Sequence, residues 1–500
     1  LQRLYFLLSF INCMNNMQKQ LRYNIVEYLS AYKKRLSIIF LFFALLLFAG
    51  AIYFNKPFLY ALPFTILVIF LFILKIEMLY FLMLFVIPFS IEYDFSNSII
   101  DLPSEPLLIL FAILFGIYCL LNYKKVQEKI NINPLIYFIA LHLIWTYFST
   151  IFSTNIIVSI KTSIVKTLYV LVFYLGTALF IHQFKKIKKL IWVLWGPTFL
   201  TIVYALIIHS TYNFSFESIN KALHPIYRNH VNYGVFITML FPFLIFLNRQ
   251  CKAQTIPKLF SQISIPITLV AIYFTYTRGA WLGLLIMPIY YIVLKLRWTK
   301  SILIIVSFII LSFGSYLFYN NNYQKFAPNF STTIYHDKLS AHLNSTFEME
   351  DMSTVERFYR WLASIKMSKE NLIYGVGPGN FTDNYKPYTV ASYQTYISEN
   401  EEKSTVHNYF LLMLAEQGLV GLIIYTAFVF YLLMYIEKLY HTQINKEYKI
   451  AVLLIACSIL AFLFNNTLSD FLETNKVGSL FWINIGLLTI FSNPIKENEH

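Results

Sequence analysis

Apolar runs long enough to cross a bilayer recur along almost the whole sequence, and they leave a helical membrane bundle as the fold open to this chain. A hydrocarbon core about 30 Å thick takes a helix of about 20 residues. It offers the backbone no water, so each crossing segment must satisfy its own hydrogen bonds. Fourteen such runs lie between residues 36 and 492, several of them shorter than a full span. With 58% hydrophobic and 13% charged residues, against about a quarter charged in an average soluble chain, lipid is the solvent for most side chains. The expected fold is an all-α polytopic integral membrane protein of about 12–14 transmembrane helices with one large, partly helical extracytoplasmic loop.

The charges give the threading. The formal charge is +14, from 39 Lys plus Arg against 25 Asp plus Glu. In a soluble protein such a balance invites a nucleic-acid partner, but here the basic residues cluster between apolar runs and set membrane orientation, so no nucleic acid is expected. Counting alternate connections, 24 basic residues fall on one side, including Lys33–Arg35, Lys124, Lys125, Lys185–Lys189, Arg249, Lys295, Arg297 and Lys446. The short connections of the other side carry seven: Lys56, Lys161, Lys166, Lys221, Arg228, Arg278 and Lys476. The richer side is then cytoplasmic. This divides the chain into a basic cytoplasmic segment 1–35, helices over 36–319, an extracytoplasmic loop 320–406, C-terminal helices over 407–492 and a cytoplasmic tail 493–500. Leu4–Ile11 is not read as a signal peptide, because basic residues rather than a small-residue cleavage site follow it. None of Cys13, Cys119, Cys251 and Cys457 falls in an external connection, so no disulfide framework is implied.

One stretch, Ser404–Leu422, joins a polar pair to an apolar run. His407 and Asn408 stand at its mouth, with Gly418 and Gly421 further along. On one continuous α-helix these glycines return to within about 20° and 40° of the histidine, which would let a neighbouring helix pack closely beneath the imidazole. Arg278 interrupts an apolar stretch that would be about 50 Å long as a single helix, so the chain must turn near Arg278 and Gly279. Arg228 lies in the short segment HPIYRNHVNYG beside His224 and His230, whose spacing matches no metal motif. In the long loop, 356–371 reads as an amphipathic helix with Phe358, Leu362 and Ile365 on its apolar side and Arg357, Arg360, Lys366 and Lys369 on its polar side. Gly375, Gly377, Pro378 and Gly379 then force a turn. Tyr385, Tyr388, Tyr393 and Tyr396 suit either sugar stacking or anchoring at the membrane interface. Glu416 would lie inside a span, in a packing or polar-network role.

His-Asn, nine residues, then Gly-x-x-Gly resembles the signature of the O-antigen ligase family, whose wider superfamily includes O-antigen polymerases and protein O-oligosaccharyltransferases. Three further stretches match in order: YRNHVNYG around Arg228, TYTRGAWLG around Arg278, and RFYRWLASIKMSKENLIYGVGPGNF from Arg357, so the family-like region covers about 190–435. The family is described with twelve spans, two fewer than read here. The resemblance implies transfer of a preassembled glycan from an undecaprenyl-pyrophosphate donor to a sugar hydroxyl of the lipid A core, at the outer face of a bacterial cytoplasmic membrane, with no metal and no cofactor.

In that chemistry His407 would be the base, near neutral pH by its ordinary pKa of about 6.5. Arg228 and Arg278 would bind the pyrophosphate and stabilise the charge that grows on it, with Arg357 and Arg360 adding to the same basic cavity. Polymerisation onto a second lipid-linked glycan, or transfer to protein, would use the same donor. A polysaccharide transporter or flippase would instead place its polar residues near mid-membrane, and here the notable charges gather at helix mouths. Replacing Gly421 with leucine is expected to lower the yield of folded protein by several-fold, measured by size-exclusion of the detergent-extracted chain.

Overall fold

The computed structural model describes residues 75–95, 98–129, 133–326, 352–394, 398 and 404–492. Two of the expected runs, 36–54 and 57–74, lie outside the described residues, and each of the other twelve coincides with a helix. These are α1 (Ile76–Val86), α2 (Ser104–Leu121), α3 (Pro134–Ile151), α4 (Ile156–Phe180), α5 (Phe184–Thr211), α6 (His230–Gln250), α7 (Ile256–Phe274), α8 (Arg278–Leu296) and α9 (Thr299–Phe318). After the loop helix α10 (Met352–Glu370) come α11 (Tyr409–Thr442), α12 (Lys446–Asn466) and α13 (Asn475–Leu488). By length and composition, ten of the described helices can cross a membrane. The protein is an all-α polytopic membrane protein. Among the described residues its only β-structure is an antiparallel hairpin, β1 (Ile91–Phe95) with β2 (Ser98–Leu102), in a connection the hydropathy pattern leaves blank.

Local chemistry sets the boundaries. Pro134 opens α3 at a position whose N–H needs no helical partner. α8 closes on Arg297 in the left-handed region (φ 57°), with its N–H returned to the Leu294 carbonyl. Between α7 and α8, where the long apolar stretch had to turn, Tyr276 takes φ 55° and Arg278 becomes the first helical residue.

The contacts divide the chain into two units, one of residues up to Met83 with Leu110–Val126 and one of Leu84–Ile109 with Gln127–His500. In the first, Tyr80 packs 5.7 Å from the Phe111 ring, which stacks on Phe115 at 5.5 Å. The second holds everything that follows.

Its surface is that of a protein solvated by lipid. α9 is apolar all round and not one residue of its spanning window is buried; Phe308 is 71% and Leu311 69% exposed. Such a face has no place in water. α13 is the opposite case: all fourteen of its residues are buried, so it is a core element. Its Gly486 lies against Tyr174 and Thr177, where α4 widens into a π-helical turn over Val170–Leu175.

Alternate connections are tied together at opposite ends. At one end the Glu92 N–H donates to the Pro225 carbonyl (3.1 Å), the Thr154 N–H to Val376 (3.0 Å), the Tyr276 hydroxyl to Phe214 (2.5 Å) and the Thr277 hydroxyl to His230 (3.1 Å). At the other, Lys188 Nζ donates to Gln250 (2.8 Å), His441 Nε2 meets the Leu294 carbonyl (2.8 Å) and the Gln443 amide donates to Phe491 (3.0 Å). The up-and-down threading expected from hydropathy follows.

Of the lysines counted in the short connections of the poorer side, three belong to bundle helices instead. Lys161 and Lys166 lie within α4, and Lys166 pairs with Glu473 at 2.9 Å. Lys476 sits in the first turn of α13, only 7% exposed. Its ammonium donates to the carbonyls of Ser90 and Ile226 and lies 4.3 Å from the Tyr227 ring, so one buried cation joins the hairpin stem, the Arg228 segment and α13. The loop tyrosines are corrected too: Tyr385 and Tyr393 are each 1% exposed and form the loop's own core, while Tyr388 donates to Glu370 and Tyr396 lies outside the described residues.

The largest departure is in α11. Gly418 adopts φ 69° and ψ −171°, which breaks the helix. The freed groups are taken by the segment after α10: Val376 N–H donates to Ala415 (3.0 Å), Gly377 N–H to Glu416 (2.9 Å), and Leu419 N–H to Leu372 (2.7 Å). A Cβ on Gly418 would stand 2.2 Å from the Ile373 carbonyl oxygen. Gly418→Ala is therefore expected to cost about 2 kcal/mol or more and to lower the thermal midpoint in detergent, whereas Gly196→Ala, with nothing within 4 Å of the new methyl, leaves it unchanged.

Candidate active site at one end of the bundle

His407 is not on the α11 face that the His-Asn and glycine spacing suggested. It precedes the helix in the left-handed region (φ 55°), and Asn408 is the N-cap, its side-chain oxygen accepting from the Leu411 N–H at 3.1 Å. The cap sets where the helix starts and so puts the imidazole on the turn above it. Because α11 also breaks at Gly418, the common face of His407, Gly418 and Gly421 does not exist. Gly418 and Gly375 admit the crossing loop segment, since a Cβ on Gly375 would meet the Glu416 carbonyl carbon at 2.3 Å. Gly377 gives close approach to Ser153 and Ser159 on the α3–α4 side. Gly421 alone keeps the expected place against a neighbouring helix, where a Cβ would lie 3.3 Å from the Trp145 indole nitrogen of α3 and would crowd Gln417.

α10 lies across the start of α11, with the Ser364 hydroxyl donating to the Leu411 carbonyl at 2.9 Å. This brings its arginines to the histidine. Arg360 is on the buried face of α10, 6% exposed, and not on a solvated one; it pairs with Glu356 at 3.1 Å, and Glu356 in turn accepts from Ser398. Periodicity misplaced it because an i,i+4 Glu–Arg pair satisfies itself and can be buried as a unit. Arg357 is half-buried beside it.

Burial, and after it the positive fields of Arg357, Arg360 and Arg228, hold the His407 imidazole down at about 3 from its usual 6.5. At neutral pH it is uncharged and free to take a proton. Three of the four candidate arginines are thus close enough to act on the histidine.

Arg228 is exposed, on the turn before α6, and its backbone N–H is accepted by the Glu92 carboxylate of β1. Arg278 stands at the same end, half-buried at the start of α8. The preceding Thr277 hydroxyl bonds the His230 carbonyl, and a Cβ on the following Gly279 would meet Asn465 of α12 at 2.4 Å. His230 is occupied locally, its N–H and Nδ1 both meeting the Asn220 side-chain oxygen at 2.9 and 3.0 Å. Among the described residues no three His, Cys, Asp or Glu side chains gather as metal ligands.

Sequence reasoning missed Glu92, Lys476 and Asp470. Asp470 lies in the α12–α13 connection, where burial raises its carboxyl and Thr405 and, more weakly, Arg228 offset part of the rise. A lysine at the threshold of a largely apolar helix was a visible signal for Lys476; the partners of the two carboxylates are distant in sequence and left none.

A family model described as O-antigen ligase matches residues 263–426, about a third of the chain. Over this segment the chain is similar to the O-antigen ligase family. The O-antigen ligase match takes in Arg278, Arg357, Arg360, Gly375, Gly377, His407, Asn408, Gly418 and Gly421, and leaves Arg228 outside. It is narrower than the 190–435 expected from the motifs. Comparison with curated proteins finds no match.

The histidine makes a sign-determined prediction. Its folded value lies below its unfolded one, so between about pH 6.5 and 3 the unfolded chain binds more protons and stability falls as pH is lowered. His407→Gln removes this contribution. The thermal midpoint of the variant is expected to drop less than that of the wild type between pH 7 and 4.5.

Proposed function

We propose that the protein transfers a preassembled glycan from a polyprenyl (undecaprenyl) pyrophosphate carrier to a hydroxyl of a second, membrane-presented acceptor, with the lipid A core as the leading acceptor. The observation that carries this reading is a neutral histidine set among Arg357, Arg360 and Arg228 at one end of a lipid-solvated bundle. Guanidinium groups are matched to pyrophosphate oxygens, and a neutral imidazole is matched to an acceptor hydroxyl.

The reaction needs few parts. The acceptor oxygen attacks the anomeric carbon of the donor sugar as the bond from that carbon to the pyrophosphate oxygen breaks. The hydroxyl proton passes to His407, and the leaving pyrophosphate keeps the electron pair of the broken bond. Arg228 and Arg278, with Arg357 and Arg360, stabilise the negative charge that grows there. The arginines that add to burial in keeping His407 uncharged are offset once a pyrophosphate lies on them. The imidazole then becomes a stronger base with the donor in place. The basic residues Lys185, Arg249, Lys295 and Lys446 belong to the opposite end, which the positive-inside rule makes cytoplasmic, so transfer takes place on the outer face of the inner membrane.

The test is glycan transfer by purified protein from labelled undecaprenyl-pyrophosphate donor, offered lipid A core, a second lipid-linked glycan, or a protein acceptor. Product on lipid A core is expected. Product only on the second lipid-linked glycan makes the protein a polymerase, product only on protein makes it an O-oligosaccharyltransferase, and product on none overturns the proposal. His407→Ala, Arg228→Ala and Arg278→Ala are each expected to lower the rate by about 100-fold or more while the protein remains inserted, read from the same assay and from membrane fractionation.

A further inference from the structure

Glu416 lies two residues before the α11 break and is 2% exposed, seven positions into a membrane-type helix. A carboxylate at such a depth is costly unless its oxygens are satisfied. Here both are. One oxygen accepts from the Gly379 N–H at 2.8 Å and the other from the Phe381 N–H at 3.2 Å. These donors lie on the segment whose main chain already bonds the broken helix through Leu372, Val376 and Gly377. Lys166 of α4, paired with Glu473, is the cation that stands in the field of Glu416.

The segment is also held from α4, where the Ser159 hydroxyl donates to the Pro378 carbonyl (2.9 Å) and the Asn380 amide donates to Ser159 (2.9 Å). Immediately before it comes α10, which carries Arg357 and Arg360. α10 reaches the start of α11 from a chain end anchored at Glu416 and Gly418.

We infer that Glu416 is a positioning residue: by holding the Gly379 and Phe381 amides it locks the 372–381 segment into the α11 break and so fixes α10, with Arg357 and Arg360, against His407. The part of this inference that concerns donor binding rests on the proposed transferase reading. The part that concerns the placement of α10 does not. An apolar residue of similar size would fill the same space, but it would leave the buried Phe381 amide and the half-buried Gly379 amide without acceptors. Glu416 suits this place because its carboxyl group has two oxygens and so accepts from two N–H donors at once.

The experiment uses the full-length protein in lipid nanodiscs, as wild type, Glu416→Gln and Glu416→Ala. For the first measurement, spin labels are placed at Lys369→Cys on α10 and Ile423→Cys on α11, in a background without the native cysteines. A narrow wild-type distance distribution is expected, broadened in Glu416→Ala and less so in Glu416→Gln, which keeps one acceptor oxygen. For the second, donor KM and the pH dependence of transfer are measured.

Released from its place, α10 withdraws Arg357 and Arg360 from His407 and leaves Arg228 as the one facing cation of the three. Donor KM is then expected to rise about tenfold and the acid limb of the rate profile to move to higher pH. A merely structural role lowers the yield of folded protein and leaves the KM and acid limb of the remaining enzyme unchanged, which would overturn the inference. So would an unbroadened distance in both variants. If Glu416→Ala cannot be recovered, Glu416→Gln decides by the same criteria. If the wild type transfers to no acceptor, the transferase reading fails, and the distance measurement still decides whether Glu416 places α10.

Discussion

A hydrogen-bond deficit at Gly418 organises the rest of this structure. Breaking a helix within an apolar bundle strips several backbone groups of their partners, and lipid cannot replace them. The chain makes good the loss with its own loop, whose Leu372, Val376 and Gly377 supply the missing donors and acceptor. Once that crossing is made, α10 has a fixed root and its arginines a fixed reach. The glycines on both sides of the crossing have one physical role, to let two main chains approach more closely than any side chain allows.

Electrostatics at the site follows from this packing. Three guanidinium groups around one buried imidazole disfavour its protonation and, on the proposed reading, suit the assembly to an anion. On the same reading, a diphosphate bound there would relieve the repulsion. The surrounding carboxylates, Glu92 against the backbone of Arg228 and Glu356 against Arg360, orient individual arginines and leave the net charge positive. Lys476 works from below, where it gathers the carbonyls of Ser90 and Ile226 and so ties the turn that bears Arg228 to the core helix α13.

The bundle was legible in hydropathy because bilayer thickness imposes a length that can be counted, and the described helices coincide with the counted runs. The turn before Arg278 was legible for the same reason. The site was legible only as residue types at helix mouths. His407 was singled out by its neighbours in sequence, but its setting was misread, because treating Ser404–Leu422 as one helix hid both the Asn408 cap and the Gly418 break. Arg360 was put on the wrong face because a buried Glu–Arg pair has the same periodicity as an exposed one. Tyr385 and Tyr393 looked like contact residues, since nothing local tells a loop that folds on its own core from one that lies on a membrane.

The crossing at Gly418 also orders events in time. Residues 372–381 leave the ribosome before α11 exists, so the acceptors offered by Ala415 and Glu416 are absent when their donors are made. The Ser159 and Asn155 partners on α4 are already in place, and they give the segment a first foothold. The arginines of α10 can therefore take up their final position only after α11 has entered the membrane. The charged cluster is therefore assembled late, and a chain that stops short of α11 holds its arginines without the histidine they surround.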